Sequence, residues 1–142
     1  MRKLPTELKE QQGTLEKSRL NPNEVTYSRC EGVPDPPESL DRFGEAVWYV
    51  SAGELYDRGL LFKTDLPGLE NYCVAASIAR MAAIEIHKGQ EGSVRTRINN
   101  WFRVWKDSAM VMDKIGSNFG FSPVDKSNIS IPAVLNRKSL FK

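Results

Sequence analysis

Residues Leu60–Ile86, LLFKTDLPGLENYCVAASIARMAAIEI, hold the longest apolar-periodic segment in the chain and decide its fold class. Leu66, Leu69, Tyr72, Cys73, Ala76, Ala79, Ala83 and Ile86 recur at steps of three and four, which places them on one face of a helix. Thr64 has the chemistry of an N-cap, its hydroxyl accepting from a free first-turn amide, and Asp65 suits the positive end of the helix dipole. The pattern predicts a helix from Asp65 to Lys88, ended by Gly89 and roughly 36 Å long at about 1.5 Å per residue. A second set, Val74, Ile78, Met81 and Ala82, follows the same period on a different face. Two apolar faces require two neighbours.

The rest of the chain arranges itself around that rod. Upstream, Pro36-Pro37 is good chemistry for starting a helix, and Leu40, Phe43, Val47 and Val50 form a stripe, with Ala46 and Leu55 beside it and Gly59 as the stop. Trp48 and Tyr49 fall off this stripe and are expected to pack against a neighbouring element. Downstream, Gly89-Gln90-Glu91-Gly92 reads as a turn. Val94, Thr96 and Ile98 alternate with Arg95 and Arg97 at a strand period, so Ser93–Ile98 is expected to be extended with both arginines on one side. Asn100 caps a third helix through about Ser117, with Trp101, Val104, Trp105, Ser108, Met112 and Ile115 on one face and Arg103, Lys106, Asp107, Asp113 and Lys114 away from it. Two long helices of matching length with a short connection make an antiparallel hairpin. Gly116 and Gly120 break the pattern, and Ser122-Pro123-Val124-Asp125 repeats a helix-start signal.

The ends differ from this centre. Residues 1–37 are sparse in apolar side chains and finish in Pro34-Asp35-Pro36-Pro37, so they read as an irregular arm in which only Thr6–Gln12 has the makings of a short helix. Residues 129–142 scatter Ile129, Ile131, Val134, Leu135, Leu140 and Phe141 among Arg137, Lys138 and Lys142, a pattern of segments that order on a partner. The expected organisation is an arm over 1–37, a helical core over 38–128 and a tail over 129–142.

At 142 residues with 40% apolar content the chain can bury one real core. No apolar run approaches a membrane span and Met1–Gln12 lacks a signal peptide's apolar centre, so a cytosolic location is expected. Cys30 and Cys73 make neither a disulfide framework nor a metal knuckle. Net charge is only +2, but its distribution is uneven: residues 31–70 carry three basic and nine acidic side chains, and residues 93–142 nine and three. That asymmetry points to one surface for a polyanion and another for something different.

Catalytic equipment is thin. The single histidine, His87, sits near a helix C-terminus, where a dipole contact explains it. There is no phosphate-cradling glycine loop with lysine, no paired-cysteine motif and no nucleophile elbow. Asp35, Glu38 and Asp41 cluster at a helix start, where they serve the dipole. The residues point to binding, with no metal, no cofactor and no catalytic residue expected.

In this order, the pieces resemble the phage terminase small subunit family of tailed phages and prophages. Those that match are Gly13-Thr14, the Pro34-Asp35-Pro36-Pro37 run with Leu40, Ala46 and Trp48 behind it, Gly59-Leu60-Leu61 followed by Thr64-Asp65, Leu69 and Tyr72, then Lys114-Ile115-Gly116-Ser117 and Phe119-Gly120-Phe121-Ser122-Pro123. They span about residues 8–130. The resemblance implies an all-α subunit that assembles into a ring, recognises viral DNA and delivers it to the large terminase subunit, which holds the ATPase and nuclease. Two departures stand out: Trp101 follows Asn100 where the family often has proline, and Lys126-Ser127 stands where arginine is common. Lys126 replaces the charge but not the bidentate geometry.

Together the residues and the resemblance give an all-α, ring-forming homo-oligomer: a hairpin of two long helices, a preceding helix, a flexible arm and a tail. Lys9, Lys17, Arg19, Arg95, Arg97 and Lys126 are the expected contacts to double-stranded DNA. Val74, Ile78 and Met81 are the expected oligomer contacts, and the tail from Ile129 is expected to engage the large subunit. The rival reading is a helical scaffold that assembles through the same faces and never touches DNA. A helix-turn-helix regulator lacks its compact pair of short helices here, and a hydrolase lacks its chemistry.

Overall fold

The computed structural model describes residues 27–89 and 95–122. Three helices carry it: α1 (Arg42–Asp57), α2 (Leu66–Gly89) and α3 (Arg95–Phe119), with a single 3-10 turn at Lys63–Asp65 before α2. The fold is all-helical, a long hairpin preceded by a shorter helix. The possible helix at Thr6–Gln12, most of the turn after Gly89, the Pro123-Val124-Asp125 part of the late start signal and the tail lie outside the described residues.

Helix α1 begins later than its prolines imply. Its N-cap is Asp41, whose backbone is extended and whose carboxylate accepts from the Gly44 amide at 2.7 Å. The prolines serve instead as acceptors: the Leu40 amide donates to the Pro37 carbonyl at 3.1 Å, and the Trp48 indole donates to the Pro34 carbonyl at 2.9 Å. The buried face of α1 is Gly44, Trp48, Ser51, Ala52 and Leu55, rotated from the expected stripe. Val50, expected inside, is 69% exposed, whereas Trp48 is 1% exposed. Indole area decides this rotation, because burying the largest side chain removes the most apolar surface from water. Gly59 ends the helix as read from the sequence, with positive φ and amide bonds from Gly59 to Tyr56 and from Leu60 to Leu55, both at 2.8 Å.

Residues 28–30 run back along the chain that follows α1. Cys30 donates to the Leu61 carbonyl and Lys63 donates to the Ser28 carbonyl, both at 3.0 Å, across an antiparallel bridge between Arg29 and Phe62. Thr64, expected as the cap of α2, lies inside the 3-10 turn that precedes it. Pro67 follows at the second helical position, where its missing N–H leaves no helical bond unmade.

The core joins Leu40, Trp48, Ala52 and Leu55 to Leu61, Leu69 and Cys73. Helix α1 packs on α2, and α2 and α3 share the most extensive helix pairing in the chain. The hairpin is antiparallel: Gly68 faces Phe119, Gly116 faces Tyr72 and Gly89 faces Ile98. Gly116, expected to break α3, is an interior residue of it, and a Cβ there would stand 3.3 Å from the Tyr72 ring. Gly120 is the true stop, with positive φ and bonds from Gly120 to Ser117 and from Phe121 to Gly116.

The extended segment expected over Ser93–Ile98 is not found at 95–98, which form the first turn of α3. Asn100 is therefore interior rather than a cap. Ile98 packs against Gly89, a contact that favours the helix over the two-residue alternation.

Candidate docking face and nucleic-acid interface

Helix α2 has three distinct sides. One meets α1: Leu69 and Cys73 are fully buried there, Ser77 donates to the Asp41 carboxylate, and the Arg80 guanidinium lies 4.2 Å from the centre of the Phe43 ring. Another meets α3 and the turn after it, where Tyr72 sits edge-on to Phe121 at 5.1 Å and Phe119 stacks on Phe121 at 5.6 Å. Ala82, grouped by periodicity with the outer set, is fully buried. The third side carries Val74, Ile78 and Met81, at helical steps of four and three. Val74 is half-buried against the core, while Ile78 is 37% and Met81 51% exposed.

Helix α3 has a clear apolar face but weak cover. Among the described residues, none of its large apolar side chains is fully buried, and Phe102, Trp105, Met110 and Val111 stay exposed. Phe102 and Trp105 pair with ring centres 5.6 Å apart. This exposed aromatic pair escaped the sequence reading, which placed Trp105 on the packed face. Its signal was Phe102, lying off the stripe between Arg103 and the stripe residue Trp101. Arg103, Lys106 and Lys114 are exposed cations on the same helix.

Of the expected DNA contacts, Arg95 and Arg97 lie on the first turn of α3. Helical positions two apart differ by about 200° around the axis, so that turn does not place them on the single side an extended strand would have given. Lys9, Lys17, Arg19 and Lys126 lie outside the described residues. His87 is exposed in the last turn of α2, consistent with a dipole contact.

The titratable groups are structural in character. The Ser77 hydroxyl, then the Gly44 amide, hold the Asp41 carboxyl below its usual range. Burial pushes the Asp65 carboxyl and the Tyr72 phenol up, and pushes the Cys73 thiol up to about 11, with Glu70 adding to the last. Among the described residues no group of three or more His, Cys, Asp or Glu side chains is placed to hold a metal, and no helix is long and apolar enough to cross a membrane.

What this arrangement offers is a long, partly uncovered helical hairpin with exposed cations on α3. The family model described as phage terminase, small subunit, matches residues 44–134, which takes in all of the described hairpin and most of α1. No curated protein and no solved structure matches the chain.

Proposed function

Because this chain belongs to the phage terminase small subunit family, we propose that it is the DNA-recognition subunit of a viral packaging motor, acting in the host cytoplasm without enzymatic activity of its own. Copies assemble into a ring through the outer side of α2, and the assembly presents a shared cationic surface to double-stranded viral DNA. The tail from Ile129 engages the large terminase subunit, which receives the DNA.

The observation that carries this reading is the exposure of Ile78 and Met81 on the central helix. Apolar side chains at helical spacing outside the subunit's own packing favour a neighbour. A head-to-tail contact that closes gives a ring, and repetition around it multiplies the avidity of a modest positive patch. Lys9, Lys17, Arg19, Arg95, Arg97 and Lys126 are the proposed phosphate contacts.

The test is a duplex-binding titration over a range of salt. Arg95→Ala with Arg97→Ala is expected to weaken binding and flatten its salt dependence, since each phosphate contact released removes about one unit of slope. An unchanged slope would remove both arginines from the interface. No binding to any duplex at low salt would favour the scaffold reading instead.

A further inference from the structure

The outer surface of α1 has an unexplained composition. Val50 is the most exposed large apolar side chain among the described residues, Tyr49 beside it is 52% exposed, and Ala46 is exposed too. Gly53 lies inside the helix where an added Cβ would meet nothing within 4 Å. Glycine in a helix interior costs about 0.5–1 kcal/mol relative to alanine. Among the described residues nothing requires that cost, since Gly53 has no close neighbour to accommodate. A helix or side chain approaching from another molecule would require it.

Helix α3 carries a matching surface. The Phe102–Trp105 pair projects from it, with Phe102 54% exposed, and Arg103 and Lys106 flank the pair. On α1, Glu45 and Asp57 are exposed beside the apolar residues, with Arg42 exposed one turn before Ala46. One surface is therefore an aromatic projection with a basic rim, the other a low apolar surface whose rim is acidic on balance, two carboxylates to one guanidinium. Both stay exposed in the subunit, where α1 packs on α2 rather than along α3.

We propose that the Phe102–Trp105 pair of one copy seats on the outer face of α1 of the next, across Ala46, Tyr49, Val50 and Gly53. The occupant is a second copy of this chain because one chain bears both halves, with apolar centres and rims whose charge balance is opposite in sign. Buried aromatic anchors dominate such contacts, while the rim charges set register and approach. The contact joins two different surfaces, so it is heterologous and gives the assembly a direction. It rests on the reading that copies assemble, but not on the Ile78 and Met81 side being the contact.

The test uses the full chain and light scattering coupled to size exclusion. Gly53→Leu fills open space on α1, and Phe102→Asp charges an exposed site on α3. Each alone is expected to keep the wild-type helical circular dichroism and to lose assembly at least tenfold. Mixed in equal amounts, they retain one intact α3-to-α1 contact between them, and heterodimers appear that neither variant forms alone. Wild-type assembly by either variant, or a mixture with no heterodimer, overturns the contact while leaving assembly itself standing. A monomeric wild-type chain would instead sink the assembly reading and this contact with it. Glu45→Lys, at an exposed position, supplies a second measurement should Gly53→Leu fold poorly: it weakens assembly at low salt and less so at high salt. No effect of Glu45→Lys at any salt also overturns the proposal.

Discussion

Replacing Trp48 with phenylalanine tests the core assignment most directly. The indole is 1% exposed and donates to the Pro34 carbonyl at 2.9 Å, so the substitution removes both packing and a hydrogen bond. The lost ring area, on the order of 40 Å², is worth about 1 kcal/mol at roughly 25 cal/mol per Å². A part-buried carbonyl left without its donor adds about 1 kcal/mol. Incomplete collapse of the vacated space raises the total to about 2–3 kcal/mol, and Trp48→Ala reaches about 3–5 kcal/mol. For a chain of this length roughly 4 °C accompanies each kcal/mol, so Trp48→Phe should melt about 8–12 °C below wild type. The assay is thermal unfolding followed by far-ultraviolet circular dichroism at one fixed protein concentration, because assembly shifts apparent stability. Melting within about 2 °C of wild type would show that Trp48 does not organise the packing of α1 on α2.

Two further outcomes follow from the titratable groups. With its thiol pushed up to about 11 and fully buried, Cys73 should resist a maleimide at pH 7.5 in the folded chain, while half-buried Cys30 reacts. Labelling of both thiols at equal rates before unfolding would contradict this. Asp41→Ala removes the cap of α1 and should cost about 1 kcal/mol at neutral pH. The Asp41 carboxyl is held below its ordinary value of 3.8, so its contribution is present above that pH and lost as pH falls through the lower folded value. The stability gap between Asp41→Ala and wild type should therefore narrow in strong acid; a gap independent of pH would assign the cost to packing instead.

The hairpin was legible because its apolar residues keep helical period over many turns, and Gly59 was legible as a stop because left-handed backbone selects glycine. What escaped the reading depends on tertiary contacts. A stripe drawn through Leu40, Phe43, Val47 and Val50 weighs every apolar residue alike, yet the bulk of Trp48 and its bond to Pro34 turn α1 toward a different face. Gly116 looked like a break because a lone glycine in a sequence does not reveal the ring of Tyr72 lying against it. The Val94, Thr96, Ile98 alternation spans too few residues to separate strand from helix, and the seat of Ile98 on Gly89 favours the helix. Of the candidate site, the outer Ile78 and Met81 were readable from periodicity. Phe102 was not, since an aromatic off the main stripe looks the same in sequence whether a neighbouring element covers it or water does.

Asp41 reaches Ser77 and Phe43 lies under Arg80, so the front of α1 is fastened about halfway along the 24-residue α2 rather than at its end. With Leu69 and Cys73 also packed in the core that α1 lines, a load applied to α1 enters the hairpin over its first half, from the root held by Gly68 and Phe119 to the waist, and leaves the tip held by Gly89 and Ile98 outside that grip. A rod gripped over one half passes a tilt on to its free extremity. Movement of a molecule seated on α1 would thus register at the tip, where the first turn of α3 carries Arg95 and Arg97.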